Sequence, residues 1–160
     1  MGLWVIRLQR LLSAAWLGSM LSLAALVAPA AFALLPRAQA GDLMRRLFEY
    51  DARLSLAAGV LLLLLQRKRQ VAQDESSDES RRAAVISWEL VCPLLALLCT
   101  VAGFYALQPL MEQARAGQGA WTFGQLHAVS SVFYAFKLLA VAVLALRLSG
   151  PQALPGSARP

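Results

Sequence analysis

Charge is scarce in this chain. Charged side chains make up 15% of its 160 residues, against about 25% in an ordinary soluble domain. Lysine is scarcer still: of the fifteen basic residues only Lys68 and Lys137 are lysine, and the other thirteen are arginine. These residues stand at the ends of apolar runs and form no aromatic-interleaved face. The net charge of +6 therefore does not describe a nucleic-acid surface. There is one histidine, His127, and there are two cysteines, Cys92 and Cys99. Seven residues apart on a helix, the cysteines lie about 10 Å apart along the axis, too far for a disulfide. They read as small apolar side chains. Met20, Met44 and Met111 could join them as soft ligands, but no close pair such as C-x-x-C is present, so no metal site and no cofactor are assigned. Nucleophile-elbow, phosphate-loop and H-E-x-x-H motifs are missing as well, and no catalytic residue is assigned. The expectation is a protein that is not an enzyme.

What the chain has is apolar length. Hydrophobic residues make up 59%, more than a small soluble domain can hide from water. From Leu11 to Pro36 there are 26 residues without a charge, and from Leu90 to Met111 there are 22. About 20 apolar residues cross a bilayer core. A third run has 21 uncharged residues from Ala116 to Phe136, then Lys137, then nine more uncharged residues to Leu146. The first run, between Arg7, Arg10 and Ala38-Gln39-Ala40, has the outline of a secretory signal. Its apolar core is longer than the usual 7–15 residues of such signals, so it reads as a retained helix.

A second span is harder to see. Leu54 to Gln66 has only 13 uncharged residues, which rise about 20 Å against a core of about 30 Å. The helix must start earlier, where Leu43, Met44, Leu47 and Phe48 recur with helical period. Asp42 is read as its N-cap, and Glu49 and Arg53, four apart, pair on one face. The fold class is thus all-α: an integral membrane four-helix bundle, N-in/C-in. The expected spans are 11–35, 47–66, 87–109 (ended by Pro109) and 123–146, followed by a disordered C-terminal tail, 148–160.

Orientation rests on arginine and lysine near the spans. With the N-terminus inside, the inner segments hold Arg7, Arg10, Arg67, Lys68, Arg69, Arg81, Arg82, Arg147 and Arg159. The outer ones hold Arg37, Arg45, Arg46, Arg53 and Arg115. The inner loop from Gln66 to Arg82, basic at both ends and acidic in the middle, reads as a solvated linker near anionic lipid.

Helices associate in lipid through small residues and polar contacts. Ala14, Gly18 and Ser22, each four apart, are read as a helix-crossing stripe. His127, Ser130, Tyr134 and Lys137 are spaced three, four and three, which places them on one stripe of the fourth helix. A polar stripe at that depth should face the bundle interior. Lys137 sits about 15 Å from Arg147 along the axis, and an acid should offset its charge. Glu89 on the third helix is the expected partner, and the alternative is that Lys137 reaches the inner headgroups alone. His127 is expected to hydrogen-bond across a helix interface. These four residues with Glu89 form the candidate functional stripe.

Several short motifs resemble one family. Trp16-Leu17-Gly18-Ser19-Met20 followed by Ala28-Pro29-Ala30-Ala31-Phe32, then Ala40-Gly41 with Leu47-Phe48, then Pro109, Met111 and Arg115, then Phe123-Gly124-x-x-His127 with Ser130, resemble in order the segments of domain-of-unknown-function family 4149. Its members look like bacterial relatives of eukaryotic transmembrane protein 205. The likeness runs over roughly residues 11 to 147. It marks Trp16, Gly18, Pro29, Phe48, Pro109 and Arg115 as family-motif positions, and Tyr134 stands where the family often has Asn. What it implies is an uncharacterised multi-pass membrane protein without an assigned activity. The first reading of its function is an accessory or scaffolding role. The second reading is a small transporter or metal- or solute-handling protein that uses the polar stripe. The lipid bilayer is the one partner these features name, with homo- or hetero-oligomers left open. The Arg-, Ala- and Leu-rich make-up points to a bacterial cytoplasmic (inner) membrane.

Overall fold

The computed structural model describes residues 2–74 and 88–150. The acidic stretch Glu75 to Glu79, Arg81, Arg82 and the tail from Pro151 lie outside these residues. Four helical rods make up the described chain. The first is α1 (Gly2–Ser22), a π-helical turn (Leu23–Val27) and α2 (Ala28–Leu34). The second is one long helix, α3 (Arg37–Asp74). The third is α4 (Trp88–Thr100), a π-helical turn (Val101–Ala106) and α5 (Gln108–Arg115). The fourth is α6 (Phe123–Ser149).

Prolines set the interruptions. Pro29 and Pro109 each lie just after a π turn. A proline lacks the N–H its helix needs, and its ring crowds the carbonyl four residues back. Those carbonyls belong to Ala25 and Tyr105, and both lie inside the π turns. Pro109 therefore does not end the third rod as expected; it starts α5, which runs on to Arg115.

Pro36 acts differently. Leu35 before it is extended (φ −116°, ψ 150°), as the residue before proline prefers. The Pro36 carbonyl then accepts from the Ala40 N–H at 2.9 Å. The second rod thus starts at Arg37, earlier than the expected cap at Asp42, which lies inside the helix rather than capping it. At 38 residues it is about 57 Å long and outruns the bilayer core. The last turn is closed by Gly117 and Gly119, both at positive φ. Thr122 then opens α6 with a reciprocal cap: its hydroxyl accepts from the Gln125 N–H, and the Gln125 side chain accepts from the Thr122 N–H.

The rods run up, down, up and down. The first packs on the second and fourth, and the third packs on the same two. The second and fourth rods, α3 and α6, are therefore parallel and diagonally opposed. The first and last described residues, Gly2 and Gly150, lie at one end of the bundle, and the turns at Pro36 and at Ala116–Thr122 close the other.

The surface is inverted relative to a water-soluble protein. Leu11, Leu26, Leu98, Val132, Leu139 and Leu146 are exposed, while Gln9, Ser13, Asp51, Ser55, Gln66, Thr100 and Lys137 are buried. Water would penalise that exterior and hydrocarbon does not. This is a helical membrane bundle. Three rods, Trp4–Leu34, Trp88–Arg115 and Phe123–Ser149, are long and apolar enough to cross by composition alone. The second is not among them, since Asp51, Arg53 and Arg67 closely flank its apolar stretch. Asp51 and Ser55 point inward, while Leu54, Val60, Leu61 and Leu64 face out.

The half of the bundle near the chain ends is tightly filled. Trp16, Met20, Leu62, Ala96, Val141 and Leu144 form its core with both free cysteines buried, Cys92 within that core. Beneath it, the Gln9 amide donates to Gln66 at 3.3 Å, the Gln66 amide donates to Glu89 at 2.9 Å, and Arg69 lies 3.6 Å from Glu89. The Arg10 guanidinium donates to the carbonyls of Leu148 and Gly150 and so caps α6. The small stripe Ala14, Gly18 and Ser22 is on the outside. A side chain added at Gly18 would meet nothing, so the expected helix crossing is not there.

Candidate functional site

Lys137 lies 14 residues into α6, about 21 Å from its start. Asp51 lies 14 residues into α3, at the same distance from its own start. Because the two helices are parallel, both residues reach one level. The Lys137 Nζ donates to Asp51 Oδ2 at 2.6 Å and to Ser55 Oγ at 3.1 Å. The side chains are 4% and 6% exposed. The ion pair spans the diagonal of the bundle and ties together two rods that otherwise share few neighbours.

This overturns the expected Lys137–Glu89 pair. Glu89 sits toward the chain-end side and is held by Gln66 and Arg69. It also excludes the lone lysine reaching for headgroups. The error came from the second span: with the span placed at 47–66, Asp51 falls at the interface, whereas the helix that starts at Arg37 brings it to the level of Lys137.

The first rod supports the pair. Trp16 Nε1 donates to Ser55 Oγ at 3.0 Å, so one hydroxyl receives both the indole and the lysine. Trp16 is 2% exposed. Lys137 Nζ also lies 4.7 Å from the Tyr134 ring centroid. The Tyr134 hydroxyl donates to the Met20 carbonyl at 3.0 Å, and its ring meets Phe48 edge-on at 5.4 Å. Ser130 donates to the Gly103 carbonyl inside the second π turn at 2.9 Å. Hydroxyls commonly satisfy backbone groups that a proline disturbs in a membrane helix.

His127 departs from expectation. Among the described residues its side chain has no hydrogen-bond partner. It stacks on Phe123 of its own helix, with centroids 5.8 Å apart and planes at 11°. The Arg115 guanidinium covers the other partner of that stack, 4.7 Å from the Phe123 centroid. No group of three or more His, Cys, Asp or Glu side chains is placed to share a metal ion among the described residues.

Above the ion pair the bundle is hollow. A cavity of about 690 Å³ extends from Lys137, Asp51 and Tyr134 to His127, Arg115 and Arg37. It lies within the range of about 300–1,000 Å³ usual for small-molecule sites. Its walls are the turn-side halves of all four rods, including Ala28, Phe32, Met44, Phe48, Phe104 and Met111. Both π turns contribute, through Ala24 and through Gly103 and Phe104. Such turns frequently mark functional sites. Gly103 is required there, since a Cβ would come within 2.5 Å of the Phe133 Cβ.

Of the family-motif positions, Trp16 carries the floor, Phe48 and Arg115 line the cavity, Pro29 and Pro109 shape its walls, and Gly18 faces outward. Asp51, Ser55 and the arginines Arg37 and Arg45 were missed. The signal for Asp51 and Ser55 was their spacing of four, continued by Ala58, Gly59 and Leu62 on one buried face.

A model of one protein family, described as Domain of unknown function (DUF4149), matches residues 11–120. The match includes Trp16, Asp51 and Ser55 and stops before His127 and Lys137. No curated protein and no solved structure matches the chain.

Proposed function

The chain belongs to the Domain of unknown function (DUF4149) family, and on that footing we propose that it is a membrane-embedded binding protein that handles a small ligand without transforming it. The observation that carries this reading is the cavity itself: about 690 Å³ within the turn-side half of the bundle, floored by the Lys137–Asp51 pair. A scaffold has no need of such a hollow. In lipid, helices associate by close contact, and the other half of this bundle does so. Ionisable residues kept inside a membrane mark functional sites more often than structural ones. The solute-handling reading is therefore favoured over an accessory or scaffolding role.

The distribution of basic residues supports N-in/C-in, which places the cavity in the outer half of the membrane. The Arg-rich, Ala- and Leu-rich composition supports the cytoplasmic membrane of a bacterium.

The two native cysteines test the reading. Cys99 lines the cavity, whereas Cys92 belongs to the filled core. In the full chain reconstituted in phosphatidylcholine nanodiscs, a small maleimide is expected to modify Cys99 at least tenfold faster than Cys92. Equal rates, or no reaction at Cys99, contradict a cavity open to ligands.

A further inference from the structure

The lining of the cavity is polarised. Its deep cation is spent: Lys137 is held by Asp51 and Ser55 and lies against the Tyr134 ring. The cations at the other end are not. Arg37 and Arg45 from α3 and Arg115 from α5 all line the same cavity, and among the described residues no carboxylate pairs with any of them. One acid, Asp42, shares that rim. The three arginines come from two rods, and the Arg115 guanidinium lies over the Phe123 ring, 4.7 Å from its centroid. Between rim and floor the wall is apolar: Phe32, Met44, Phe48, Phe104 and Met111.

We infer that the cavity binds an anionic amphiphile, a single acyl or alkyl chain bearing a phosphate or carboxylate, with its acid among Arg37, Arg45 and Arg115 and its chain along Phe32, Phe48, Phe104 and Met111. The inference rests on the cavity being a binding site and adds the chemistry of its ligand. Guanidiniums match the geometry of phosphate and carboxylate oxygens and hold them by paired hydrogen bonds. The apolar wall rules out a fully hydrated ion as the fitting occupant, since nothing there replaces its water. The rim disfavours a purely apolar chain, because three cations would be covered with Asp42 as their one counter-charge among the lining residues.

The experiment uses the full chain in phosphatidylcholine nanodiscs and reads protection of Cys99 from maleimide. Dodecyl phosphate is expected to slow Cys99 modification saturably and leave Cys92 unaffected. Inorganic phosphate, which has the head alone, and dodecanol, which has the chain alone, are expected to need at least tenfold higher concentration. Replacing the rim (R37Q/R45Q/R115Q) is expected to raise the half-protecting concentration of dodecyl phosphate at least tenfold. Should that variant not fold, R115Q alone is expected to raise it at least threefold. Arg7→Gln, at the chain-end side of the bundle, controls for general attraction of anions to the surface and leaves protection unchanged.

Protection equally strong with inorganic phosphate overturns the proposal in favour of a free-anion site. Equal protection by dodecanol, or an unchanged R115Q, overturns it in favour of an apolar site. In either case Cys99 still reacts and the cavity reading stands. A Cys99 that never reacts removes both.

Discussion

Replacing Lys137 by methionine leaves the Asp51 carboxylate inside the bundle without its cation, and replacing Asp51 by leucine does the converse. At 2.6 Å the mutual attraction is about 6 kcal/mol for an effective dielectric of about 20. Desolvation of the two ions costs several kcal/mol each and offsets most of that gain. The net value of the pair is therefore small, while the cost of breaking it on one side is large. Each single variant is predicted to lose about 3–5 kcal/mol. The lower end applies if the unfolded helices let the lone charge reach the headgroups. The double variant, with both charges gone, is predicted to fall within about 1–2 kcal/mol of the parent, since apolar replacement of a buried pair is often close to neutral. The assay is reversible unfolding in mixed micelles, followed by tryptophan fluorescence, with Trp16 as a reporter bonded to the same Ser55. Coupling of at least about 3 kcal/mol is the predicted result of the cycle. The parallel cycle of Lys137→Met with Glu89→Gln is predicted to give none. Coupling below about 0.5 kcal/mol between Asp51 and Lys137, or strong coupling to Glu89, refutes the reasoning.

Other substitutions probe the parts that shape the cavity. Gly103→Val forces a side chain into the space held by the Phe133 Cβ; a loss of about 1–3 kcal/mol is expected in the same unfolding assay. Tyr134→Phe keeps the ring against Phe48 and removes the bond to the Met20 carbonyl, with an expected loss of about 1 kcal/mol. Thr122→Ala removes the cap of α6 and is expected to cost about 1 kcal/mol, most of it restored by Thr122→Ser.

Much of the bundle was legible because lipid imposes a simple rule on sequence: about 20 apolar residues in a row for each crossing. Three rods follow it. The second does not, and the reason is physical. A helix whose inner face carries Asp51 and Ser55 and whose outer face carries Leu54, Val60 and Leu64 has a modest average hydropathy whichever way it points. Its start was also hidden, since Pro36 reads as an end of the first run when it is equally the platform for Arg37. Placing the span at 47 left Asp51 near the interface and concealed the partner of Lys137. The polar stripe of α6 was visible from its spacing, and Ser130, Tyr134 and Lys137 do engage other rods. The cavity was not visible. It arises where two proline-disturbed rods meet, and π turns leave no signature beyond the prolines themselves. The Ala14–Gly18–Ser22 stripe misled because small residues mark a close crossing only where a second helix is present to cross.

The account depends on α3 crossing the membrane although composition alone does not require it. The direct measurement is side-specific labelling of single cysteines at Gln39, Gln118 and Ser149, all exposed, in a background with Cys92 and Cys99 replaced by alanine, using an impermeant maleimide on intact and on inverted vesicles. Gln39→Cys and Gln118→Cys are predicted to label from one side and Ser149→Cys from the other. Labelling of Gln39→Cys from the same side as Ser149→Cys would contradict the account, because Asp51 would then lie outside the hydrocarbon and could not meet Lys137 there.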